Sequence, residues 1–419
     1  MAASSASVLW RRSRMFLFLV LLIIQSAVAQ DFGFGFTNRR RAVIIPFEWQ
    51  SNLIVVPVSI NNSDTLNFIL DTGISMNMIT DPDVARDLNL KYVRKVNVLG
   101  VGQGSALEAR VSVGNRIRLP GVKAEGQNVV VLSEDMLQLS SYVGMPVHGI
   151  FGFELFRNFV VKIDFRTRQI TLYKPETYRY RGRGQQIPIV IEDTKPYLYA
   201  SATYADNREV PIKVILDTGA GHALSLDVDT RGDIQLPDKI IRAQLGRGLN
   251  GIIHGSLGRL EKVRIGTFEL QHVITSFPDT NSLAGQVARN LKRQGNIGCE
   301  LLKRFTVIFD YSRKHVILKP NRRFYREKFE RDMSGMEIKA EGKDYRKFVI
   351  SNIQANSPAE VAGLQEGDEI LSLNDHVSAD LRLSDVIKVL QRGEGKTVKM
   401  FVKRTNGLIY TEFKLKRMI

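Results

Sequence analysis

The chain has 419 residues, of which 44% are hydrophobic and 24% charged, so we expect two to four folded domains and exclude a disordered chain. Its single cysteine, Cys299, excludes an internal disulfide and a cysteine-based metal cluster. The formal net charge of +16 favours acidic partners or surfaces. Because no nucleic-acid-binding module is recognisable, we expect no nucleic-acid partner.

The first 29 residues are predicted to be an export signal. Basic residues at 11–14 precede an apolar stretch at 15–24, which is too short to span a bilayer comfortably. Residues 27–29 then fit the small-x-small cleavage pattern, so we expect cleavage after Ala29 and no membrane span afterwards. The alternative is an uncleaved N-terminal anchor. An exported chain without disulfides favours a periplasm or cell envelope, with secretion as a further option.

An internal duplication organises the rest of the chain. An Asp-Thr-Gly triplet follows an Ile-Leu pair twice, at residues 71–73 and 217–219, which is an offset of 146 residues. The same offset aligns Gly152 with Gly298, and the register needs no gap from residue 71 to residue 172. The repeat therefore predicts two equivalent lobes, at residues 30–176 and 177–322.

Each lobe carries strand-type patterns. In the first lobe, residues 53–60, 128–132 and 159–165 are predicted strands, and residues 81–88 are a predicted short helix. The charged segment 178–184 is predicted to be a solvated linker, and a second charged segment, 321–332, is expected to connect lobe 2 to the last domain with few shared core contacts. An RNA-binding role for the first, Arg/Gly-rich segment is disfavoured because it is short and unrepeated. The expected fold is mainly β, with two pseudo-symmetric lobes.

Asp71 and Asp217 are the candidate catalytic residues. Peptide hydrolysis needs a base to activate water and an acid to protonate the leaving amine, and two adjacent carboxyl groups that share one proton can supply both. Glycines after each aspartate allow close approach of the two turns, and threonine hydroxyls can lock the turns by hydrogen bonding. The residues expected to support the pair are Thr72, Gly73, Thr218 and Gly219.

With these motifs the chain resembles the retropepsin-like and pepsin-like aspartic peptidases, and most of all bacterial aspartyl proteases that carry a PDZ domain. The resemblance covers roughly residues 45–419, and the segments 150–152 and 296–298 match the family's apolar-apolar-Gly motif. It implies that Asp71 and Asp217 are catalytic and that no cofactor is needed. It also implies flap hairpins at 99–104 and 245–251, with the glycines Gly100, Gly102, Gly246 and Gly248.

Two departures from the family pattern bear on the site. Ile74 and Ala220 stand where pepsin-like enzymes usually have Ser or Thr and retropepsins have Ala, and neither flap segment contains the tyrosine typical of pepsins. These points favour the retropepsin side and leave activity itself open. A G-x-G-x-x-G match at 246–251 is better explained by a flap than by a dinucleotide site. The six histidines form no H-E-x-x-H motif, so we expect no metal.

Residues 357–370 closely resemble the core signature of bacterial PDZ domains, which predicts such a module at residues 333–419. Apolar residues recur at helical spacing over 383–390. By similarity, this helix and the strand 348–353 should frame a groove for a peptide C-terminus. The alternative is an empty groove. The residues expected to bind the peptide are Lys347, Phe348, Val349 and Ile350.

The sequence thus predicts an exported aspartic endopeptidase that cleaves peptides or proteins with a water activated by Asp71 and Asp217. Both catalytic turns lie on one chain, so we expect an active monomer. The alternative function is a catalytically inactive, peptide-binding scaffold of the cell envelope.

Overall fold

A computed structural model describes residues 33–98, 100, 106–228, 232–249, 251–279 and 293–419. The predicted export signal and Gly102 lie outside these residues. The prediction of a mainly β fold is confirmed. The strands of lobe 1 are β1 (Gly35–Phe36), β2 (Ala42–Pro46), β3 (Glu48–Gln50), β4 (Leu53–Ile60), β5 (Leu66–Leu70), β6 (Asn77–Ile79), β7 (Tyr92–Val98), β8 (Leu107–Leu119), β9 (Val122–Leu132), β10 (Gly149–Phe151), β11 (Val160–Asp164) and β12 (Gln169–Tyr173).

The remaining strands fall in lobe 2 and in the C-terminal module. Those of lobe 2 are β13 (Gln185–Pro188), β14 (Val190–Glu192), β15 (Lys195–Thr203), β16 (Glu209–Leu216), β17 (Leu224–Leu226), β18 (Ile240–Gly248), β19 (Gly251–Ile265), β20 (Phe268–Pro278), β21 (Gly295–Ile297), β22 (Phe305–Asp310) and β23 (His315–Pro320). Those of the module are β24 (Met336–Glu341), β25 (Lys347–Ile353), β26 (Glu369–Leu373), β27 (His376–Val377), β28 (Thr397–Arg404) and β29 (Gly407–Lys414).

The described helices are few and short. The predicted helix at 81–88 is only four residues long, begins after Asp81 and is capped by that side chain. The predicted helix at 383–390 has the expected bounds. The helices are α1 (Pro82–Ala85), α2 (Leu139–Val143), α3 (Phe153–Asn158), α4 (Cys299–Leu302), α5 (Pro358–Val361) and α6 (Leu383–Leu390), with a 3₁₀ turn at Ser378–Asp380.

Each lobe is a closed six-stranded barrel. In lobe 1 the strands pair in the order β4, β5, β10, β6, β9 and β8, and β8 returns to β4. In lobe 2 the corresponding strands β15, β16, β21, β17, β20 and β19 make the same six pairings. Closure leaves the barrel strands without free edges. The architecture therefore repeats as the duplication predicts.

A six-stranded sheet joins the lobes, in the order β13, β23, β22, β11, β12 and β2. At its centre β11 and β22 run antiparallel, with Val161 opposite Phe309 and Ile163 opposite Val307. These four residues belong to one hydrophobic core that extends through both lobes. The lobes are thus fused by shared backbone hydrogen bonds and shared apolar packing.

The charged segment 321–332, expected to share few core contacts, instead packs against lobe 2, and Phe329 belongs to the core of the lobes. The side chain of Arg304 is fully buried and its guanidinium lies 3.5 Å from the ring centroid of Phe329. Arg304 Nη2 also donates to the carbonyl of Glu327 at 3.1 Å. The prediction was wrong because it weighed the charges of this segment and not its aromatic residues.

The C-terminal module has its own hydrophobic core and a sheet with the order β24, β25, β26, β28 and β29. Helix α6 buries Leu383, Val386 and Leu390 in that core. The module contacts lobe 1, where α2 lies against β24. At the same place, a Cβ built on Gly144 would lie 2.7 Å from Leu383 Cβ. None of the helices in the described part of the chain is long and apolar enough to span a membrane.

Candidate active site

The two candidate aspartates lie at equivalent places in the two barrels. Asp71 follows β5, and its backbone N–H donates to the carbonyl of Phe151 at 2.8 Å. Asp217 follows β16, and its N–H donates to the carbonyl of Ile297 at 2.8 Å. Because β5 pairs with β10 as β16 pairs with β21, both aspartates leave their barrels at the same geometry.

Two threonines bind the catalytic turns to each other. Thr218 Oγ1 accepts the N–H of Thr72 at 3.0 Å, and Thr72 Oγ1 accepts the N–H of Thr218 at 3.0 Å. Each hydroxyl then donates across the lobe boundary, to the carbonyl of Leu216 at 2.6 Å and of Leu70 at 2.8 Å. Both threonines are completely buried. The two Asp-Thr-Gly turns are thus joined through Thr72 and Thr218, the residues that the sequence predicts to support the pair.

The glycines of the turns are needed for the close approach of the two carboxyl groups. A Cβ on Gly219 would lie 2.2 Å from Asp71 Cγ, and one on Gly73 would lie 3.2 Å from Asp217 Oδ1. Gly73 and Gly219 also donate their N–H groups to Oδ1 of Asp71 and Asp217, at 2.5 and 3.0 Å. The carboxyl groups of Asp71 and Asp217 consequently lie close enough to interact directly.

Burial and the neighbouring charge of Asp217 raise the pKa of Asp71 well above its ordinary value. The Gly73 N–H and the Lys195 ammonium act in the opposite direction and are outweighed. Two carboxylates this close cannot comfortably ionise together, so one proton is retained between them above the range of an ordinary aspartate. The pair can therefore act as base and acid at the same time.

The two apolar-apolar-Gly segments pack closely against the backbone at the Asp-Thr-Gly turns. A Cβ on Gly152 would lie 1.9 Å from the Asp71 carbonyl oxygen, and one on Gly298 would lie 2.3 Å from the His222 carbonyl oxygen. The two segments differ at their first position, which is Ile150 in lobe 1 and Asn296 in lobe 2. Asn296 Nδ2 donates to Asp217 Oδ2 at 2.7 Å. Sequence reasoning missed this contact because it grouped Asn296 with an apolar motif.

The hairpin of β18 and β19 extends from lobe 2 towards lobe 1. Gly246 and Gly248 lie near the end of β18. Arg247 Nη1 donates to the carbonyl of Met136 at 3.0 Å, and Leu249 lies so close to Gly100 that a Cβ there would be 2.5 Å from Leu249 Cβ. The predicted flap segments are thus in contact across the lobe boundary, as far as their described residues show.

A lysine that the sequence did not single out acts on the aspartates. Lys195 begins β15 and is half-buried, and its positive charge acts on both Asp71 and Asp217. Burial lowers the pKa of Lys195, and the nearby Arg293 adds to that shift. Its equivalent in lobe 1 is Leu53, because both residues open the strand after the first hairpin turn. This comparison of the two copies is the signal that could have found it.

The structure does not bring the residues predicted for peptide binding in the module to a free sheet edge. Strand β25 lies between β24 and β26, and Phe348 pairs with Ala340 on one side and Ile370 on the other. Lys347 Nζ lies 3.5 Å from Glu341 and 3.8 Å from Glu369, so its charge is already paired. Val349 and Ile350 share this inner strand. The outer strand, which also contacts α6, is β24.

Among the described residues there is no group of three or more His, Cys, Asp or Glu side chains that could hold a metal ion. The single cysteine, Cys299, lies in α4 and is fully buried, with Sγ 3.3 Å from the Thr218 carbonyl oxygen.

Comparisons with known proteins agree with this geometry. Residues 56–155 match the family model for an aspartyl protease, and the match includes Asp71 but not Asp217. Residues 349–404 match the model for a PDZ domain. No curated protein matches the chain. The protein therefore combines an aspartyl protease domain with a PDZ domain on its C-terminal side.

Proposed function

We propose that this protein is an aspartic endopeptidase that hydrolyses peptide bonds with a water activated by Asp71 and Asp217. The observation that carries the proposal is the closeness of the two carboxyl groups, which the reciprocal Thr72 and Thr218 hydrogen bonds hold in place. One ionised carboxyl group can take a proton from water while its protonated partner polarises the substrate carbonyl.

The flap supports the same proposal. Arg247 and Leu249 place the tip of the lobe 2 hairpin against lobe 1. A hairpin in this position would cover a bound peptide and exclude bulk water, which strengthens the electrostatic interactions of the carboxyl groups with the reacting amide.

The PDZ domain is proposed to recruit a substrate or partner by its C-terminus. An extended peptide can add to a sheet only at a strand whose outer N–H and C=O groups are unused. Strand β24 is an outer strand that lies next to α6, so the proposed groove runs between β24 and α6, and a peptide that binds there would have to displace α2 of lobe 1. This revises the groove strand expected from the sequence.

Export and oligomeric state are part of the proposal. The basic, apolar and small-residue pattern of residues 11–29 supports export to a periplasm or cell envelope, where the substrates would be exported proteins or peptides. Both aspartates come from one chain, which supports an active monomer. Activity per molecule should then stay constant on dilution.

The test is cleavage of a diverse peptide mixture by the chain from residue 30 onward, with cut sites identified by mass spectrometry. Asp71→Asn and Asp217→Asn are the controls, since an amide keeps the size of the side chain but cannot exchange the proton. Cleavage by the wild type and by neither variant is the expected result. Folded wild-type protein that cuts nothing would favour the peptide-binding scaffold instead.

A further inference from the structure

The duplication makes the two aspartates comparable neighbour by neighbour, and one neighbour differs in kind. Position 150 of lobe 1 is isoleucine, and the equivalent position 296 of lobe 2 is asparagine. Both residues lie on the strand beside a catalytic turn, at equivalent places in β10 and β21. An isoleucine side chain has no hydrogen-bond donor, whereas an asparagine has two.

We infer that Asn296 is a positioning residue that keeps Asp217 ionised as the base and leaves the shared proton on Asp71 as the acid. This inference rests on the proposed function, because the two roles matter only if the aspartates hydrolyse a peptide.

The two carboxyl groups accept different numbers of hydrogen bonds. Asp217 accepts the Gly219 N–H on Oδ1 at 3.0 Å and the Asn296 amide on Oδ2 at 2.7 Å. Asp71 accepts the Gly73 N–H on Oδ1, and the residue that would face it from the equivalent strand position is Ile150. Hydrogen bonds donated to a carboxylate favour its ionised form, so the extra amide selects Asp217 as the charged partner.

The Asn296 amide presents its NH₂ group to Asp217. An ionised carboxylate only accepts hydrogen bonds, so the NH₂ end of Asn296 must face Asp217 and the amide oxygen faces elsewhere. The buried imidazole of His222 lies next to Asn296 and interacts with it. An imidazole N–H in that place can donate to the amide oxygen, which would prevent the amide from turning over. At the equivalent position of lobe 1 stands Met76, which is 49% exposed.

His222 is suited to this task because it stays neutral. Burial lowers its pKa, outweighing the charge of Asp217, and its Nε2 atom is buried without a hydrogen-bond partner in the described part of the chain. Protonation of that nitrogen would bury an unpaired N–H and a positive charge, which is unfavourable. A neutral His222 adds no charge beside Asp217, so its assigned role is to orient Asn296.

Among the other titratable groups around the aspartates, Lys195 and Cys299 act on both carboxyl groups, whereas Tyr311 acts on Asp71. Cys299 and Tyr311 are buried, which raises their pKa values and keeps both of them neutral. The titratable groups next to the two aspartates come from different elements: Lys195 from β15, His222 from the turn before β17, Cys299 from α4 and Tyr311 from the turn after β22.

With Asp217 as the base and Asp71 as the acid, the proton transfers of peptide hydrolysis balance. Asp217 takes one proton from water as the water oxygen bonds to the peptide carbon, and the carbonyl oxygen takes the proton of Asp71. Asp217 then passes its proton to the amide nitrogen as the C–N bond breaks, and one hydroxyl of the tetrahedral carbon returns a proton to Asp71. Both carboxyl groups end as they began.

The test exchanges the two neighbours. Aspartate labelled with ¹³C at the carboxyl carbon is titrated by NMR in the full chain, with signals assigned from Asp71→Asn and Asp217→Asn. In the wild type, Asp217 should ionise at lower pH than Asp71. In the double variant Ile150→Asn with Asn296→Ile, the order should reverse. An unchanged order in the folded double variant would overturn the inference.

Single variants keep the test decisive if the double variant does not fold. Asn296→Ala should narrow the pH gap between the two ionisations by about one to two units, the range expected for one charge-assisted hydrogen bond. His222→Phe should narrow the pH gap between the two ionisations by less than Asn296→Ala does. A gap that stays at the wild-type value in Asn296→Ala would also refute the role of Asn296.

Activity provides the second readout. The acid limb of the pH profile of kcat/KM should move to higher pH in Asn296→Ala, with KM little changed, whereas a purely structural defect would lower the rate at every pH. If no chain cleaves any peptide but the carboxyl groups titrate in the expected order, the proposed function fails and the proton assignment stands.

Discussion

The hydroxyl oxygen of Thr72 and the backbone nitrogen of Thr218 lie 3.0 Å apart, and the hydroxyl of Thr218 lies 3.0 Å from the nitrogen of Thr72. Each hydroxyl also donates to a carbonyl at the end of the other lobe's central strand. The lobes therefore cannot separate at the active site without breaking four buried hydrogen bonds.

Thr218→Val should lower both stability and activity. Valine keeps the shape but removes one hydrogen bond donor and one acceptor, and it leaves the Thr72 N–H buried and unpaired, which costs about 1–3 kcal/mol. Urea unfolding and peptide cleavage measure the two effects. Thr275→Val is the matched control, since Thr275 is equally buried but bonds only to the nearby Val273 carbonyl. Equal loss of activity in both variants would contradict a role of the Thr218 hydrogen bonds in joining the two lobes.

Alanine at the two turn glycines should have graded effects. A Cβ on Gly219 would overlap Asp71 Cγ at 2.2 Å, while one on Gly73 approaches Asp71 Oδ1 at 3.0 Å. Gly219→Ala should therefore abolish cleavage, and Gly73→Ala should reduce it. Gly35→Ala, which meets nothing within 4 Å, is the neutral control. Activity ranked Gly219→Ala above Gly73→Ala would refute the argument.

Asp71→Asn should remove cleavage and stabilise the fold at neutral pH. The raised pKa of Asp71 means that the folded chain keeps a proton that the unfolded chain loses near pH 4. Between that pH and the raised pKa the folded state binds more protons, so wild-type stability falls as pH rises. Asparagine has no proton to retain.

The gain in free energy of unfolding should thus be absent below about pH 4, grow as pH rises and level off above the raised pKa. Chemical denaturation of both proteins from pH 3 to pH 8, in about one-unit steps, measures it. A pH-independent difference would show that Asp71 is not the group that holds the proton.

Because the proton stays on the pair above the range of an ordinary aspartate, wild-type cleavage should be best at weakly acidic to neutral pH. Ile74 and Ala220 lack the hydroxyl that could add a second side-chain donor to the one that Asn296 provides and lower the pKa of the ionised carboxyl group further. A pH–rate profile on one peptide decides this, and an optimum confined to strongly acidic pH would exclude it.

Arg247→Ala should weaken substrate binding more than it slows the chemistry. The side chain of Arg247 joins the lobe 2 hairpin to the Met136 carbonyl and lies 5.5 Å from the ring centroid of Tyr142. Without it the hairpin should close less often, so KM should rise several-fold with a smaller change in kcat. Arg242→Ala lies on the same strand but pairs with Asp279 inside lobe 2, and serves as control.

A chain that ends at Arg331 should keep folded lobes. It retains the Phe329 ring that covers the buried Arg304 guanidinium, and loses the contact of α2 with β24. We expect a melting temperature a few degrees lower and retained cleavage of peptides. A chain that ends at Pro320 exposes Arg304 as well and should be clearly less stable. Thermal unfolding by circular dichroism compares them, and aggregation of both would contradict independent lobes.

Repeated local patterns made much of the site predictable from the sequence. Asp71 and Asp217 each belong to a short motif that recurs at one offset, and the need for Gly73 and Gly219 follows from the closeness of two carboxyl groups. Asn296 was not predicted as functional, because only the folded strand shows that its amide reaches Asp217. Which group a side chain contacts across the barrel depends on the tertiary structure.

The edge of the PDZ sheet was missed for a related reason. The resemblance to PDZ domains predicts a strand at 348–353 but the sequence does not say which strands flank it, and Phe348 is paired on both sides. The docking of residues 321–332 depends on Arg304, which precedes that segment by more than one strand. Local charge could not reveal a partner that far away.

The pairing of β11 with β22 is self-complementary under the offset that relates the two lobes. Val161 faces Phe309, and their counterparts Val307 and Ile163 face each other. One lobe could in principle build this sheet with an identical copy, but every neighbour of one aspartate would then be matched at the other. Fusion of the two copies released that constraint. The divergence of Ile150 from Asn296 is open only to a gene that encodes both halves, and unequal carboxyl groups are its chemical product.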